Sequence, residues 1–189
     1  YTLLQKPFWN NISKHITRKI KTVLLTMGGI DAGNLTLKII YWLRDFFTEI
    51  KILIPIGQNF KEMSEFQKLK KSDVKLIKGA GAIEMKNLMT IADLAISSSG
   101  QTLAELARMG VPTIAIQTAE NQKYSATGWL RAGFVEFAGN WNDSDISKNI
   151  LCCLKNIESQ SVRKTRSLIG MAMIDGQGTK RTISKIIHN

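Results

Sequence analysis

Six short apolar runs alternate with helix-length stretches along the chain, and this alternation restricts the fold more than any other feature. The runs occupy residues 22–27, 51–56, 74–77, 93–97, 111–116 and 133–136. They are too short for ordinary helices, and most are rich in Val, Ile and Leu, as buried strands are. Between the first two, Ile39, Ile40, Leu43, Phe46 and Phe47 recur at helical spacing, so residues 35–47 predict an amphipathic helix. Further helices are expected over 60–71, 84–91, after Ser99-Gly100, over 120–132, from Asp143 or Ser144 to Leu154, over 159–169 and over 179–187. Strands alternating with helices assemble as βαβ units with right-handed crossovers and a parallel sheet. The expected fold class is α/β: a Rossmann-like, doubly wound parallel sheet of about six strands. Residues 1–21 show no sustained helical or strand period and read as a linker or arm, anchored by Phe8 and Trp9. Residues 22–189 form the domain itself, and the 189-residue length suits one domain with a full core.

In such a sheet, ligands bind at the carboxyl ends of the strands. Four loops share that edge: residues 28–34, 78–82, 97–102 and 117–122. They carry glycine, serine, threonine, asparagine and glutamine, and few bulky side chains. The richest is Ser97-Ser98-Ser99-Gly100-Gln101-Thr102, which leads from a strand into the helix that holds Glu105. Its small residues let a ligand approach the backbone, and unpaired N–H groups at the helix start suit an anion such as phosphate. Glu105 can accept hydrogen bonds from a sugar diol. The same residues have a plainer reading. Thr102 and Glu105 have the spacing of a capping box, in which Glu105 serves only its own helix. Gly28-Gly29 either lets a ligand approach or merely supplies a tight turn, and the loop matches neither G-x-G-x-x-G nor a Walker motif. Asn121 and Gln122 carry amides that match sugar hydroxyls as donors and acceptors, while Asn121 equally suits a helix cap.

The net charge of +11 favours anionic partners in general. The densest basic groups are Lys68, Lys70, Lys71 and Arg163, Lys164, Arg166. Both lie apart from aromatic residues that would stack bases, so both are expected to be solvated helix faces, with no nucleic-acid partner. The adjacent Cys152 and Cys153 form neither a zinc site nor a favourable disulfide, and read as small apolar residues on a helix in a reducing compartment. No apolar run approaches the ~20 residues of a membrane span, and no secretory signal is visible. A cytoplasmic location and no transmembrane segment are expected. The chain starts at Tyr1 instead of Met, which suggests a piece of a longer protein.

Ser99-Gly100 through Pro112, with Glu105 in the helix and Gln122 after the next strand, resembles the C-terminal domain of the GT-B nucleotide-sugar proteins. The groups it is similar to are the UDP-N-acetylglucosamine transferase of peptidoglycan synthesis, the UDP-sugar hydrolase of pseudaminic acid synthesis, and the spore-coat polysaccharide proteins related to that hydrolase. Two segments favour the hydrolase branch. Tyr1-Thr2-Leu3-Leu4-Gln5-Lys6-Pro7-Phe8 looks like its interdomain segment, and Asp175-Gly176-Gln177-Gly178-Thr179-Lys180-Arg181 looks like its closing helix motif. The resemblance covers nearly the whole chain through short motifs.

That resemblance implies a ligand set. Glu105 would accept hydrogen bonds from the ribose hydroxyls. Gly100, Gln101 and Thr102 would meet the diphosphate, with Ser99 beside them. Gly28 and Gly29 would let the chain approach the ligand and the opposite domain. The backbone from Gly79 to Ala82 would face the uracil, and Asn121 and Gln122 would bind sugar hydroxyls. No cofactor and no metal is implied. Gly81 and Ala82 stand where relatives often carry bulkier apolar residues, so the base remains open. The hydrolase keeps its catalytic histidine in its N-terminal domain, within a Gly-His motif. Here His15 follows Lys14 and His188 follows Ile187, so neither fits, and no catalytic residue is assigned. The expectation is the UDP-sugar-binding half of a two-domain enzyme that hydrolyses a UDP-linked amino sugar in surface polysaccharide or nonulosonic acid biosynthesis. Its partner would be the missing N-terminal domain, in the same or a separate chain. The alternatives are the donor half of an N-acetylglucosaminyl-type glycosyltransferase, and a non-catalytic Rossmann-like binding domain.

Overall fold

A computed structural model describes residues 2–10, 13–28, 31–57 and 73–187. Six strands form one all-parallel sheet: β1 (Thr22–Thr26), β2 (Lys51–Ile56), β3 (Val74–Lys78), β4 (Leu94–Ser98), β5 (Thr113–Gln117) and β6 (Val135–Asn140). Their order is β3-β2-β1-β4-β5-β6, the doubly wound arrangement. The helices are α1 (Leu35–Phe46), α2 (Ala82–Ile91), α3 (Thr102–Arg108), α4 (Lys123–Arg131), α5 (Ile146–Ile157), α6 (Gln160–Met173) and α7 (Gly178–Ile187). The helix expected over 60–71 lies outside the described residues, together with Gly29, the group Lys68, Lys70 and Lys71, and His188.

Successive side chains of a strand point to opposite faces of a sheet, and two cores follow from that alternation. Val23 and Leu25 of β1 enter one core with Ile39 and Leu43 of α1 and Ile150 and Leu154 of α5. Leu24 enters the other with Leu88 of α2, Leu103 and Leu106 of α3, and Phe134. β4 and β5 bury every residue, as strands covered on both faces do. On the second face Ala95 and Ala115 share the core with Ala104 and Ala107 of α3, so small residues line both sides of that contact. β3 forms an edge where Lys75 and Lys78 are exposed, and edge lysines discourage further strand pairing.

The arm lies against the second core. Phe8 is fully buried there beside Leu4, and burying a side chain of this size contributes about 2–3 kcal/mol. Arg108, at the end of α3, donates to the carbonyls of Phe8, Trp9, Asn10 and Ile174. Gln177 and Thr179 donate to the carbonyls of Trp9 and Leu4, so the two segments singled out as hydrolase-like pack on each other. Lys14 Nζ donates to the carbonyls of Met89, Thr90 and Ala92 at 2.6–2.8 Å. That is the C-terminal end of α2, where carbonyls lack helical partners and a cation is favoured. Burial pulls the Lys14 ammonium down to about 8, against an opposing pull from Asp93. The Asp93 carboxylate accepts from the Lys21 and Thr22 amides and the Thr17 hydroxyl, pinning the start of β1 to β4.

Several expectations are corrected. β5 starts at Thr113, not at 111, because α3 ends in a Schellman motif. Gly110 takes φ +63°, its amide donates to the Ala107 carbonyl, and the Val111 amide donates to the Leu106 carbonyl. β6 continues to Asn140 because a register shift between Ala115 and Gln117 brings Asn140 opposite Gln117. The basic group on α6 is a solvated face only at Lys164, which is exposed. Arg163 is fully buried and donates to the Arg18 carbonyl. Arg166 pairs with Glu136 and donates to the carbonyls of Gly133 and Val135. Carbonyls at strand and loop ends receive these guanidinium groups, which a count of charges along the chain does not foresee. Of the two free thiols, only Cys153 is buried, and burial pushes it up to about 11; Cys152 is exposed. Among the described residues, no helix is long and apolar enough to cross a membrane.

Candidate functional site

The strand order reverses between β1 and β4. α1, which follows β1, packs on one face, and α3, which follows β4, packs on the other. The loops leaving the two strands diverge and open a crevice at their carboxyl ends. Two clefts lie there. One, of about 550 Å³, is lined by Ser99, Gly100, Gln101, Asn121, Gln122 and Trp129, with Thr2 and Leu3 of the arm. The other, of about 530 Å³, is lined by Gly28, Gly57, Gly79, Gly81, Ala82, Thr102 and Glu105, with Gln5 of the arm. Of the eleven residues expected in the site, ten line one cleft or the other, and Gly29 lies outside the described residues.

Donors dominate the first cleft. The backbone amides of Gly100 and Gln101, and that of Thr102 where the loop passes into the other cleft, have no acceptor among the described residues. Consecutive free amides of this kind attract anionic oxygens. Gln122 Oε1 accepts from the Thr118 amide at 2.9 Å and the Thr118 hydroxyl at 3.2 Å. This fixes the amide orientation and leaves Nε2 beside Gly100, 3.8 Å from where a Cβ there would stand. Asn121 lies inside a short 3₁₀ turn, Glu120–Gln122, whose cap position is Ala119. Asn121 is therefore not a helix cap, and its side chain is exposed at the cleft. The Gln101 side chain is engaged elsewhere, donating to the Leu3 carbonyl at 3.2 Å; only its backbone amide is open. Ser99 Oγ is fully buried without a partner.

The second cleft holds the acid. Glu105 is half-buried and has neither an ion-pair nor a hydrogen-bond partner among the described residues. Burial pushes its carboxyl above the usual range. The capping box does not form. Thr102 is the first residue of α3 and Gln101 the cap, with no side-chain cap bond, so Glu105 sits one position too far along to reach back. The cleft wall around it is mostly glycine and backbone. Gly28 takes φ +83°, a conformation that favours glycine. α1 contrasts with α3 in this respect: the Asp31 carboxylate accepts from the Thr36 amide at 3.0 Å, so α1 carries its own anion.

Sequence reasoning missed Ser98 and the arm. Ser98, the last residue of β4, lies between Gly28 and Gly100. In the run Ser97-Ser98-Ser99 only the sheet register distinguishes the three. Ser97 Oγ turns back to the Ser98 carbonyl, and Ser99 Oγ is sealed inside. Thr2, Leu3 and Gln5 reach the clefts because Arg108 and α7 hold the arm there. Among the described residues, neither cleft is lined by a histidine, cysteine or lysine. His15 is exposed and lines neither. The described residues contain no cluster of three or more metal-ligating side chains.

No protein-family model matches the sequence. An uncharacterized protein of Methanocaldococcus jannaschii is 28% identical over 140 residues, covering 69% of this chain and 28% of that protein. Solved structures share the fold. MurG of Acinetobacter baumannii superposes with a TM-score of 0.70 at 14% identity, over 92% of this chain and 51% of its own. The UDP-GlcNAc 2-epimerase of Neisseria meningitidis, solved bound to UDP-GlcNAc, superposes with a TM-score of 0.67 at 19% identity, over 97% and 46%. MnaA of S. aureus, solved with UDP, gives 0.69 at 17% identity. The fold is that of a GT-B half. The chain spans about half the length of these solved proteins, and the matched segment makes up 28% of the archaeal relative.

Proposed function

We propose that the chain is the nucleotide-sugar-binding half of a two-domain enzyme that hydrolyses a UDP-linked amino sugar. One observation carries the reading. A single crevice sets an unpartnered carboxylate, Glu105, beside three amides without acceptors, Gly100 to Thr102, that run from one cleft into the other. A carboxylate accepts from a ribose diol, and open amides donate to a diphosphate. A nucleoside diphosphate sugar needs both in one ligand. The solved neighbours support the class, since two of them were solved with UDP or a UDP-sugar. Gly79 to Ala82 would then face the base, and Asn121 and Gln122 the sugar. α3 has only seven residues, so the loop amides do more for the diphosphate than the helix dipole does. Apart from Glu105, which this reading gives to the ribose, the described residues lining the clefts include no group suited to activate water. The base is therefore expected on the missing half, and this half alone binds without turning substrate over.

Calorimetry with UDP and UDP-N-acetylglucosamine on wild type and Glu105→Ala tests the reading. Glu105→Ala is expected to bind UDP about tenfold more weakly, the loss of hydrogen bonds to a charged acceptor. Equal binding by both proteins removes Glu105 from the site, and hydrolysis by the isolated chain refutes the placement of the base elsewhere. Glycosyl transfer is the second reading, favoured by the shared fold with MurG and with the glycotransferase of kitacinnamycin. Assaying the protein joined to its other half, with and without a lipid or glycan acceptor, separates the two.

A further inference from the structure

Ser98 lies next to Gly28 of one cleft and Gly100 of the other. The residue is 6% exposed, and its hydroxyl has no hydrogen-bond partner among the described residues. Two glycines, one from each cleft, leave that hydroxyl uncovered. A Cβ on Gly28 would lie 3.6 Å from Ser98 Oγ, and a Cβ on Gly100 would lie 3.9 Å from it. Gln122 Nε2 lies 3.8 Å from the same Gly100 position. Ser98 Oγ is not among the sealed polar atoms that lack a partner, so on an otherwise buried residue the hydroxyl faces the opening, where a ligand can accept from it.

We infer that Ser98 Oγ donates a hydrogen bond to the diphosphate of a ligand that has its nucleoside in the Glu105 cleft and its sugar in the Gln122 cleft. This rests on the proposed nucleotide-sugar reading and adds to it a residue at the crossing point. Such a ligand has to pass between Gly28 and Gly100, and its most charged part does so over Ser98. The hydroxyl then positions the bridge, and the two glycines serve to expose it.

The test uses the 189-residue chain with UDP as the probe, followed by calorimetry and by the phosphorus-31 shifts of UDP at saturation. Ser98→Ala is expected to weaken UDP binding about tenfold and to move the saturated phosphorus shifts away from the wild-type values. Glu105→Ala weakens binding while keeping the wild-type shifts, because it acts at the nucleoside end. Gly100→Ala leaves Ser98 in place but covers it, with contacts of ordinary length. It should reproduce the Ser98→Ala result, and it replaces that variant should Ser98→Ala fail to fold. Wild-type affinity, or weaker binding with unchanged phosphorus shifts, in the Ser98 and Gly100 variants overturns the inference. In that outcome a Glu105 effect leaves the nucleotide reading standing. Absence of UDP binding by the wild type overturns both.

Discussion

Glu105 is a carboxylate held half-buried without a donor, and burial pushes its carboxyl above the usual range. A group in that condition gains from a ligand that donates to it. Only the ionised form accepts from two hydroxyls at once, so ligand binding depends on its protonation. As pH falls through a raised carboxyl value, Glu105 takes up a proton and the diol loses its acceptor. UDP affinity of the wild type is therefore expected to drop on acidification at a pH above the ordinary glutamate value of about 4.3. Glu105→Gln should bind weakly and show a flat profile over that range. A wild-type profile as flat as that of Glu105→Gln would remove the carboxylate from the site. The same residue shows how a local motif misleads. T-x-x-E spacing suggests a cap, but a cap needs the threonine at the position before the helix, and α3 begins on Thr102 itself.

α3 joins the site to the arm. Its first turn borders both clefts, and its last residue, Arg108, donates to four carbonyls, three of them in the arm. Gln101 adds a contact to Leu3 at the other end. Helix and arm are thereby tied at both ends of the helix. Arg108→Met keeps the apolar stem but leaves the buried carbonyls without donors, at about 1–3 kcal/mol for each that water cannot reach. A loss of about 3 kcal/mol in urea unfolding is expected, with faster amide exchange in the arm. Unchanged stability would mean that Phe8 and Leu4 hold the arm by burial alone. Little of this was legible in the sequence. The apolar runs disclosed the strands and the loops that share an edge, because burial on both faces writes itself as short Val, Ile and Leu runs. Arg163 and Arg166 read as a solvated face, and nothing in the sequence singles out Arg108 or Lys14. Their partners are backbone carbonyls distant in the chain, and carbonyls have no sequence signature. Ser98 was hidden between two other serines, because only the sheet register sets the three apart.

At the scale of the molecule, the sheet order places its reversal between β1 and β4, and every expected ligand residue within the described chain lines the crevice that results. The net charge of +11 offers a competing account, in which anions gather on the surface without a site. The two accounts differ in salt dependence and in place. Diffuse attraction between exposed charges is screened within about 8 Å at physiological ionic strength, whereas contacts inside a cleft are screened less. A titration of the nitrogen-15-labelled chain with UDP-N-acetylglucosamine, at ionic strength matched against sulfate, tests the central claim most directly. Saturable shifts with one affinity are expected at the loop amides Gly100 to Thr102 and at the amides of Gly79 to Ala82, with sulfate reproducing at most the first set. Shifts spread over the lysine and arginine surface, matched by sulfate and lost together as salt rises, would contradict it.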